Sequence, residues 1–359
     1  MKIIRLSTFL DFGGIESKMV NLSTTTNAQV EWIFCAIGKG GVASEKIKAN
    51  GKRVVLFESA YRIPSLLTIY RLYRFFKAEQ PDVVHTSGAE ANFHGVLAAR
   101  WAGVKNVVAE EIGIPKHGFL AQKIFGVIFK LSHYVLGESK MVCDNLYKLY
   151  AIPKQKLKIV SNFVVFSFEK GSAQKETLQK DFFTIVSVSR LEPVKNIESV
   201  LKAAAKLTSE KIPVHYTIVG EGNHRKVLEA LVAALQIENN VTFVGFQSDP
   251  VPFLQASDLY VLTSFTEGFS NSLAEALYNG TPSLTTKVGA AEEIITDNQN
   301  GWLVEAADDE ALFRKIKSII ALDSETRKQI GQAGRNTIVE NYSIDKHLET
   351  LTAIYLKKA

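Results

Sequence analysis

Two glutamates, Glu267 and Glu275, stand with seven residues between them in the run Thr263-Ser264-Phe265-Thr266-Glu267-Gly268-Phe269-Ser270-Asn271-Ser272-Leu273-Ala274-Glu275. The run follows the apolar Leu259–Leu262 and passes through small residues into a helix-like pattern, so it reads as a strand end, a turn and a helix start. With Gly268, Phe269, Ser270 and Asn271 as the turn and first helical positions, their backbone amides would converge beside the positive end of the helix dipole, a place suited to phosphate. Carboxylates repel phosphate but accept hydrogen bonds from hydroxyls. Glu275, one turn into the helix, is therefore a candidate for ribose, and Glu267, at the strand end, a candidate for a sugar.

Some seventy residues earlier, Val188-Ser189-Arg190-Leu191-Glu192-Pro193-Val194-Lys195-Asn196 carries two cations just after another strand-like run. Open α/β sheets bind ligands at the carboxyl ends of their strands, so Arg190 and Lys195 can straddle a diphosphate and stabilise the negative charge of a departing nucleotide. Two fixed cations also supply the charge that a metal ion would otherwise bring. The chain has no Asp-x-Asp pair, and Asp308-Asp309 is adjacent and acidic; the expectation is that neither metal nor cofactor is required.

The elements that must hold these residues are βα units. Strand-like runs at Lys2–Leu6, Glu31–Ala36, Arg53–Leu56, Val83–His85, Val107–Ala109, Tyr134–Leu136 and Lys158–Val160 alternate with helix-length amphipathic segments, and the alternation restarts at Phe183–Ser189. It continues through Val214–Val219, Val241–Val244, Leu259–Leu262, Ser283–Thr285 and Trp302–Val304. The polar, lysine-rich stretch Ser167–Asp181 between the halves reads as a linker. At 359 residues the chain is long enough for two cores. The division expected is 1–165 and 166–342, with a last helix, about 343–359, packing back on the first domain.

These residues resemble the signature of glycosyltransferase family 4: two glutamates with seven residues between them, Gly-Phe after the first, and the Arg190 and Lys195 pair. The resemblance spans nearly the whole chain and is most specific from Arg190 to Glu275. It implies a GT-B fold, two Rossmann-like α/β domains facing each other across a deep cleft, and a retaining, nucleotide-sugar-dependent transferase. Glu267 would then contact the transferred sugar, Glu275 the ribose, and the amides of Gly268, Phe269 and Ser270 the diphosphate. It also implies that the turn at Gly220 and Gly222 approaches the nucleotide and that the loop at Phe246 reads the base, with uridine the commonest base. The donor would be a nucleotide-diphosphate sugar and the product a hexosyl or N-acetylhexosaminyl glycan in bacterial surface polysaccharide synthesis. Because no side chain stands out as a nucleophile, the route expected is front-face attack with the leaving phosphate as base.

Other positions leave two readings each. Gly13 and Gly14 follow the first strand and open a helix; they form either the first-domain wall near the ligand or a plain tight turn. Glu110 and Glu111, in Val108-Ala109-Glu110-Glu111-Ile112-Gly113, stand where the family often carries a histidine, and either accept a sugar hydroxyl or pair locally. His85 ends a strand and His117 lies in a loop; both are candidates for the acceptor side, against a structural role for the first and plain exposure for the second. Gly220-Glu221-Gly222 is half a dinucleotide fingerprint, but Arg225 stands where a third glycine belongs, which disfavours an NAD-dependent oxidoreductase. A nucleotide-sugar epimerase or hydrolase of the same architecture stays open as a rival.

Composition bounds the partners. With 46% hydrophobic and 22% charged residues the chain is expected to fold throughout. Residues 1–160 hold 22 Lys and Arg against 12 Asp and Glu, while the remainder holds 20 against 25, so the first half is strongly basic. Lys116, Lys123 and Lys130 recur every seven residues among Leu120, Ile124, Val127, Ile128, Leu131 and Val135, and Arg71, Arg74 and Lys77 lie beside Tyr70, Tyr73 and Phe76. Such surfaces suit either an anionic membrane carrying a lipid-linked acceptor or core helices with a solvated basic stripe. No nucleic-acid-binding signature accompanies the charge. The start Met1-Lys2-Ile3-Ile4-Arg5-Leu6 does not read as a signal peptide, and no run reaches about 18 apolar residues, so the expected location is cytoplasmic, either free or peripheral at the inner face of the membrane. Cys35 and Cys143 lack metal or redox spacing and are read as buried small residues.

Overall fold

The computed structural model describes residues 1–26, 29–115, 118–165 and 182–357. The expected linker and Lys116 and His117 lie outside them. Among the described residues the chain forms two compact units, one of residues 1–162 with the segment from Ile344 onward, the other of Phe163–Ser343.

The first unit is built on seven strands: β1 (Lys2–Ser7), β2 (Glu31–Ala36), β3 (Arg53–Leu56), β4 (Val83–Ser87), β5 (Asn106–Glu111), β6 (Tyr134–Gly137) and β7 (Leu157–Ile159). They pair in parallel in the order β3-β2-β1-β4-β5-β6-β7. The central strands are nearly continuous Val, Ile and Leu because a parallel sheet is covered on both faces. Period-two alternation sorts their side chains: Ile4, Leu6, Val84 and Ala109 enter one apolar core with the helices Leu66–Glu79, Ala89–Ala102, Phe119–Leu131 and Lys140–Tyr150. The alternate positions Arg5, His85 and Glu110 are polar and equally buried. The C-terminal helix, Ile344–Leu356, belongs to this unit and donates Tyr355 to that polar layer.

The second unit has six strands, β8 (Phe183–Val188), β9 (Val214–Val219), β10 (Val241–Gly245), β11 (Leu259–Leu262), β12 (Ser283–Thr286) and β13 (Trp302–Val304), all parallel in the order β10-β9-β8-β11-β12-β13. The chain winds outward from β8 in one direction, returns, and winds outward in the other. The neighbours β8 and β11 therefore send their following loops to opposite faces of the sheet and open a crevice between them. Those loops carry Arg190 to Lys195 and Thr263 to Ser270.

Behind β11 the helix Asn271–Tyr278 is gripped by the helix Ser324–Asn341 at glycines. A Cβ on Gly331 would lie 2.3 Å from the Gly280 carbonyl oxygen, and one on Gly334 would lie 2.7 Å from that of Asn300. Main-chain atoms cannot move aside as a flexible side chain can, so Gly331→Val is expected to lower stability by about 1–3 kcal/mol. A fall in the urea midpoint of the purified protein checks this; an unchanged midpoint would show that the helices separate freely.

Candidate functional site

The crevice of the second unit begins with backbone stitching. The Phe265 amide donates to the Val194 carbonyl at 2.9 Å, and the Thr263 hydroxyl donates to the carbonyls of Asn196 at 2.8 Å and Lys195 at 3.2 Å. These bonds hold the β8 and β11 loops side by side and bring together side chains 72 positions apart in sequence: Lys195 Nζ lies 2.5 Å from Glu267 Oε1. Ser264, fully buried, donates its hydroxyl to the same oxygen at 2.6 Å. Glu267 Oε2 accepts from no group among the described residues. Arg190, on the same loop as Lys195, is exposed and pairs with Glu192 at 2.7 Å. The structure thus joins Lys195 to Glu267 and leaves the Arg190 guanidinium open to solvent.

Past Glu267 the turn is fixed from behind. The Gly268 carbonyl accepts from the Ala290 amide at 2.9 Å, and Gly289, at φ +58°, has no room for a Cβ, which would sit 2.5 Å from that same carbonyl oxygen. Phe269 sends its ring into the core beside Tyr342, 5.6 Å between centroids, so only its backbone faces outward. Helix geometry begins at Asn271, so Gly268 to Ser270 form the turn and Asn271 is the first helical position. Ser270 is the N-cap, its hydroxyl accepting from the Leu273 amide at 3.3 Å. Among the described residues the amides of Gly268, Phe269 and Ser270 donate to no protein acceptor.

Glu275 is half-buried on the first turns of this helix, and its carboxyl accepts no hydrogen bond among the described residues. Burial, and then the charge of Asp249, push its pKa up to about 7. A desolvated carboxyl of this kind gains from a hydroxyl donor.

The glycine pair after β9 packs directly against the Arg190 loop. A Cβ on Gly220 would meet the Ser189 carbonyl oxygen at 1.9 Å and one on Gly222 the Leu191 carbonyl oxygen at 2.2 Å. The Leu191 amide donates to the Glu221 carbonyl at 2.9 Å. Gly220 and Gly222 are thus the backing against which the Arg190 loop lies. Phe246, just past β10, exposes most of its ring.

In the first unit the glutamates of the β5 end separate. Glu110 is 1% exposed and its oxygens are taken: Oε2 by Arg5 Nη2 at 3.0 Å and the Ser87 hydroxyl at 2.6 Å, Oε1 by Lys18 Nζ at 2.6 Å. Burial opposes its charge, but Lys18 and Arg5 outweigh burial and hold the carboxyl well below the usual range. So placed, Glu110 is the counter-ion of a buried cation pair and offers no oxygen to a sugar hydroxyl. His85 is likewise sealed. Burial, then the neighbouring Arg5, bring it down to about 4, so the ring is neutral and Nδ1 accepts from Arg5 Nη1 at 2.8 Å, with Tyr355 Oη at 2.5 Å. His85 Nε2 lies 3.3 Å from Glu110 Oε2 but out of line for a hydrogen bond. Lys18 Nζ also donates to Glu138 Oε1 at 3.2 Å; sequence reasoning missed Arg5, Lys18 and Glu138 as members of this layer, and the one signal was a charge at Arg5 inside an apolar central strand. Glu111 points to the opposite face, where Asn92 Nδ2 donates to it at 2.9 Å and burial raises it to about 7.

Gly13 precedes the helix Gly14–Ser23, and a Cβ on Gly14 would meet nothing within 4 Å, so that side of the turn is open. Among the described residues no cluster of His, Cys, Asp and Glu could hold a metal ion, and no helix is long and apolar enough to cross a membrane. Helix Leu66–Glu79 turns Thr68, Ile69, Leu72 and Phe76 inward and Leu66, Leu67, Tyr70, Arg71 and Arg74 outward. Tyr73 stacks at 4.3 Å on Trp101, which is 60% exposed. Helix Phe119–Leu131 buries Phe125, Ile128 and Phe129 but exposes Phe119, Leu120 and Val127 with Lys123 and Lys130.

The family described as Glycosyltransferase Family 4 matches residues 12–168, and that described as Glycosyl transferases group 1 matches residues 169–337. The chain is 28% identical over 208 residues to the lipopolysaccharide core biosynthesis glycosyltransferase LpsE of Rhizobium meliloti, a match spanning 57% of this chain and only 58% of that protein. It is 25% identical over 319 residues to the UDP-Gal:alpha-D-GlcNAc-diphosphoundecaprenol alpha-1,3-galactosyltransferase of Escherichia coli, covering 82% of this chain and 80% of that one. The crystal structure of Anabaena HepE in complex with UDP superposes with a TM-score of 0.86 at 19% identity, over 98% of this chain and 100% of that one. At that identity the likeness is one of fold.

The buried carboxyl of Glu111 generates a stability prediction. Its folded pKa of about 7 lies above the unfolded value near 4.3, so the folded state holds the extra proton and stability falls as pH rises between the two. Glu111→Gln keeps an acceptor for Asn92 and removes that slope. Urea unfolding from pH 5 to 8 should show the variant gaining on the parent by on the order of 1–3 kcal/mol at the upper end. The raised Glu138 retains its share of the slope in both proteins. Parallel curves would contradict the assignment.

Proposed function

The chain belongs to glycosyltransferase family 4 and has the GT-B fold, and from that premise we propose that it moves a sugar from a nucleotide-diphosphate sugar to a glycan acceptor at the second unit's crevice. The observation that carries this is the meeting of Lys195 and Glu267 at the β8 and β11 loop ends, a cation for phosphate and a carboxylate for hydroxyls at one point. In the proposed complex, Lys195 and Arg190 stabilise the leaving diphosphate with the amides of Gly268 to Ser270. Charge develops on that diphosphate in the transition state, so fixed donors aimed there lower the barrier. Glu275 takes the ribose hydroxyls, Glu267 Oε2 takes the transferred sugar, and Phe246 lies beside the base. Arg190 and Lys195 provide the positive charge, and the proposed chemistry is metal-independent.

Retention is proposed to follow from front-face attack, the diphosphate accepting the acceptor's proton as the sugar's anomeric bond to phosphate breaks and the new glycosidic bond forms on the same face. Uridine is proposed as the base, with support from the UDP-galactose in the E. coli relative's name and the UDP bound to HepE. A lipid-linked acceptor in surface polysaccharide synthesis is proposed, with support from the diphosphoundecaprenol of the former and the lipopolysaccharide core of LpsE. A peripheral position at an anionic membrane is proposed for the first unit, because exposed Leu66, Leu67, Phe119 and Leu120 stand among Arg71, Arg74 and Lys123.

Thermal-shift screening against UDP, GDP, ADP and TDP sugars should raise stability selectively for one base. With the selected donor, Lys195→Ala is expected to lower turnover by about 100-fold or more with the fold retained. Full activity in that variant, or sugar release at the same rate with and without acceptor, would sink the transferase reading. Sedimentation with phosphatidylglycerol vesicles at low salt should carry the protein down, high salt should release it, and Trp101→Ala combined with Phe119→Ala should weaken binding several-fold. Equal binding to neutral vesicles would remove the electrostatic part of the argument.

A further inference from the structure

Glu267 is held at its tip by two donors and both use one oxygen. Lys195 Nζ approaches Oε1 at 2.5 Å and the Ser264 hydroxyl approaches the same Oε1 at 2.6 Å, while Oε2 has no protein donor among the described residues. Ser264 is itself anchored. Its side chain is fully buried, and its carbonyl accepts the Thr286 hydroxyl at 2.7 Å, which anchors the residue to the end of β12. Its neighbours on either side, Thr263 and Phe265, are the residues that bond the β8 loop.

We propose that Ser264 is a positioning residue for the transfer reaction: by donating to Oε1 it fixes the rotation of the Glu267 carboxylate and presents Oε2 to the sugar. The inference rests on the reading of Glu267 as the sugar-facing carboxylate. Lys195 alone cannot do this. An ammonium on a four-carbon stem follows a moving carboxylate and bonds either oxygen, whereas a buried hydroxyl on a fixed backbone selects one. A carboxylate with its rotation set in advance needs no reorganisation as the sugar's charge develops, so the gain falls on the chemical step and not on nucleotide binding. Ser264 acts through Glu267 and touches no substrate itself.

The test compares Ser264→Ala, Ser264→Thr and Glu267→Ala, using the nucleotide sugar selected by the donor screen for turnover and its free nucleoside diphosphate for calorimetry. Ser264→Ala is expected to lower kcat about tenfold or more while the donor KM and the nucleoside diphosphate Kd stay within about twofold, and Ser264→Thr, which keeps the hydroxyl, is expected to recover most of kcat. A loss under twofold in Ser264→Ala overturns the proposal. So does a parallel loss of nucleotide affinity and melting temperature, since that pattern marks a packing role. If Glu267→Ala retains turnover, the reading of Glu267 fails instead, and the Ser264 arms report that separately.

Discussion

A parallel sheet brings distant chain segments to one point only where its strand order reverses, and the second unit depends on that constraint. Between β8 and β11 the two following loops diverge across the sheet, and the gap between them is the one place where groups from both can meet a ligand. Lys195 and Glu267 meet there because the Phe265 amide and the Thr263 hydroxyl lock the loops together through main-chain carbonyls. The ion pair is half-buried, so its attraction is less screened than that of a surface pair, and the stitching brings its two loops into register.

The surrounding packing serves the same placement. Gly220 and Gly222 lie against the Ser189 and Leu191 carbonyls and back the cation loop, while Gly289 lets the β12 end press on the Gly268 carbonyl and back the carboxylate turn. Each of these glycines is required by a close main-chain approach. The first unit solves a separate problem: its central strands carry Arg5, His85 and Glu110 on one face, and Lys18 with Tyr355 of the returning helix completes their pairing. That layer ties the helix Ile344–Leu356 to β1 through the neutral His85, which accepts from both Tyr355 and Arg5 inside a core, an arrangement in which removing any single partner leaves another uncompensated.

Much of the architecture was legible because it rests on periodicity. The strands at Glu31–Ala36, Arg53–Leu56, Val214–Val219, Leu259–Leu262 and Trp302–Val304 lie where β-branched runs mark them, and elsewhere the ends move by one or two residues, as Val83–His85 does in extending to Ser87. The candidate site was legible in its residue types, since a cation pair and two spaced glutamates at strand ends carry their own chemistry. Burial was not. Glu110 and Glu111 are adjacent and alike in sequence, yet alternation along β5 sends one into an ion cluster and the other to Asn92 on the opposite face.

What the order of residues determined alone is the α/β class, because it depends on local pattern; spacing also singled out Glu267, Glu275, Arg190 and Lys195 as candidates. Tertiary structure alone decided which partners those groups find: Ser264 on Oε1 of Glu267, Ser270 as a helix cap, the glycines of Gly220-Glu221-Gly222 as a backing, and His85 as a neutral acceptor under Arg5. The physical reason is distance. Hydrogen bonds and desolvation act over a few ångströms in space, and residues separated by dozens of positions come that close only when the sheet has been assembled.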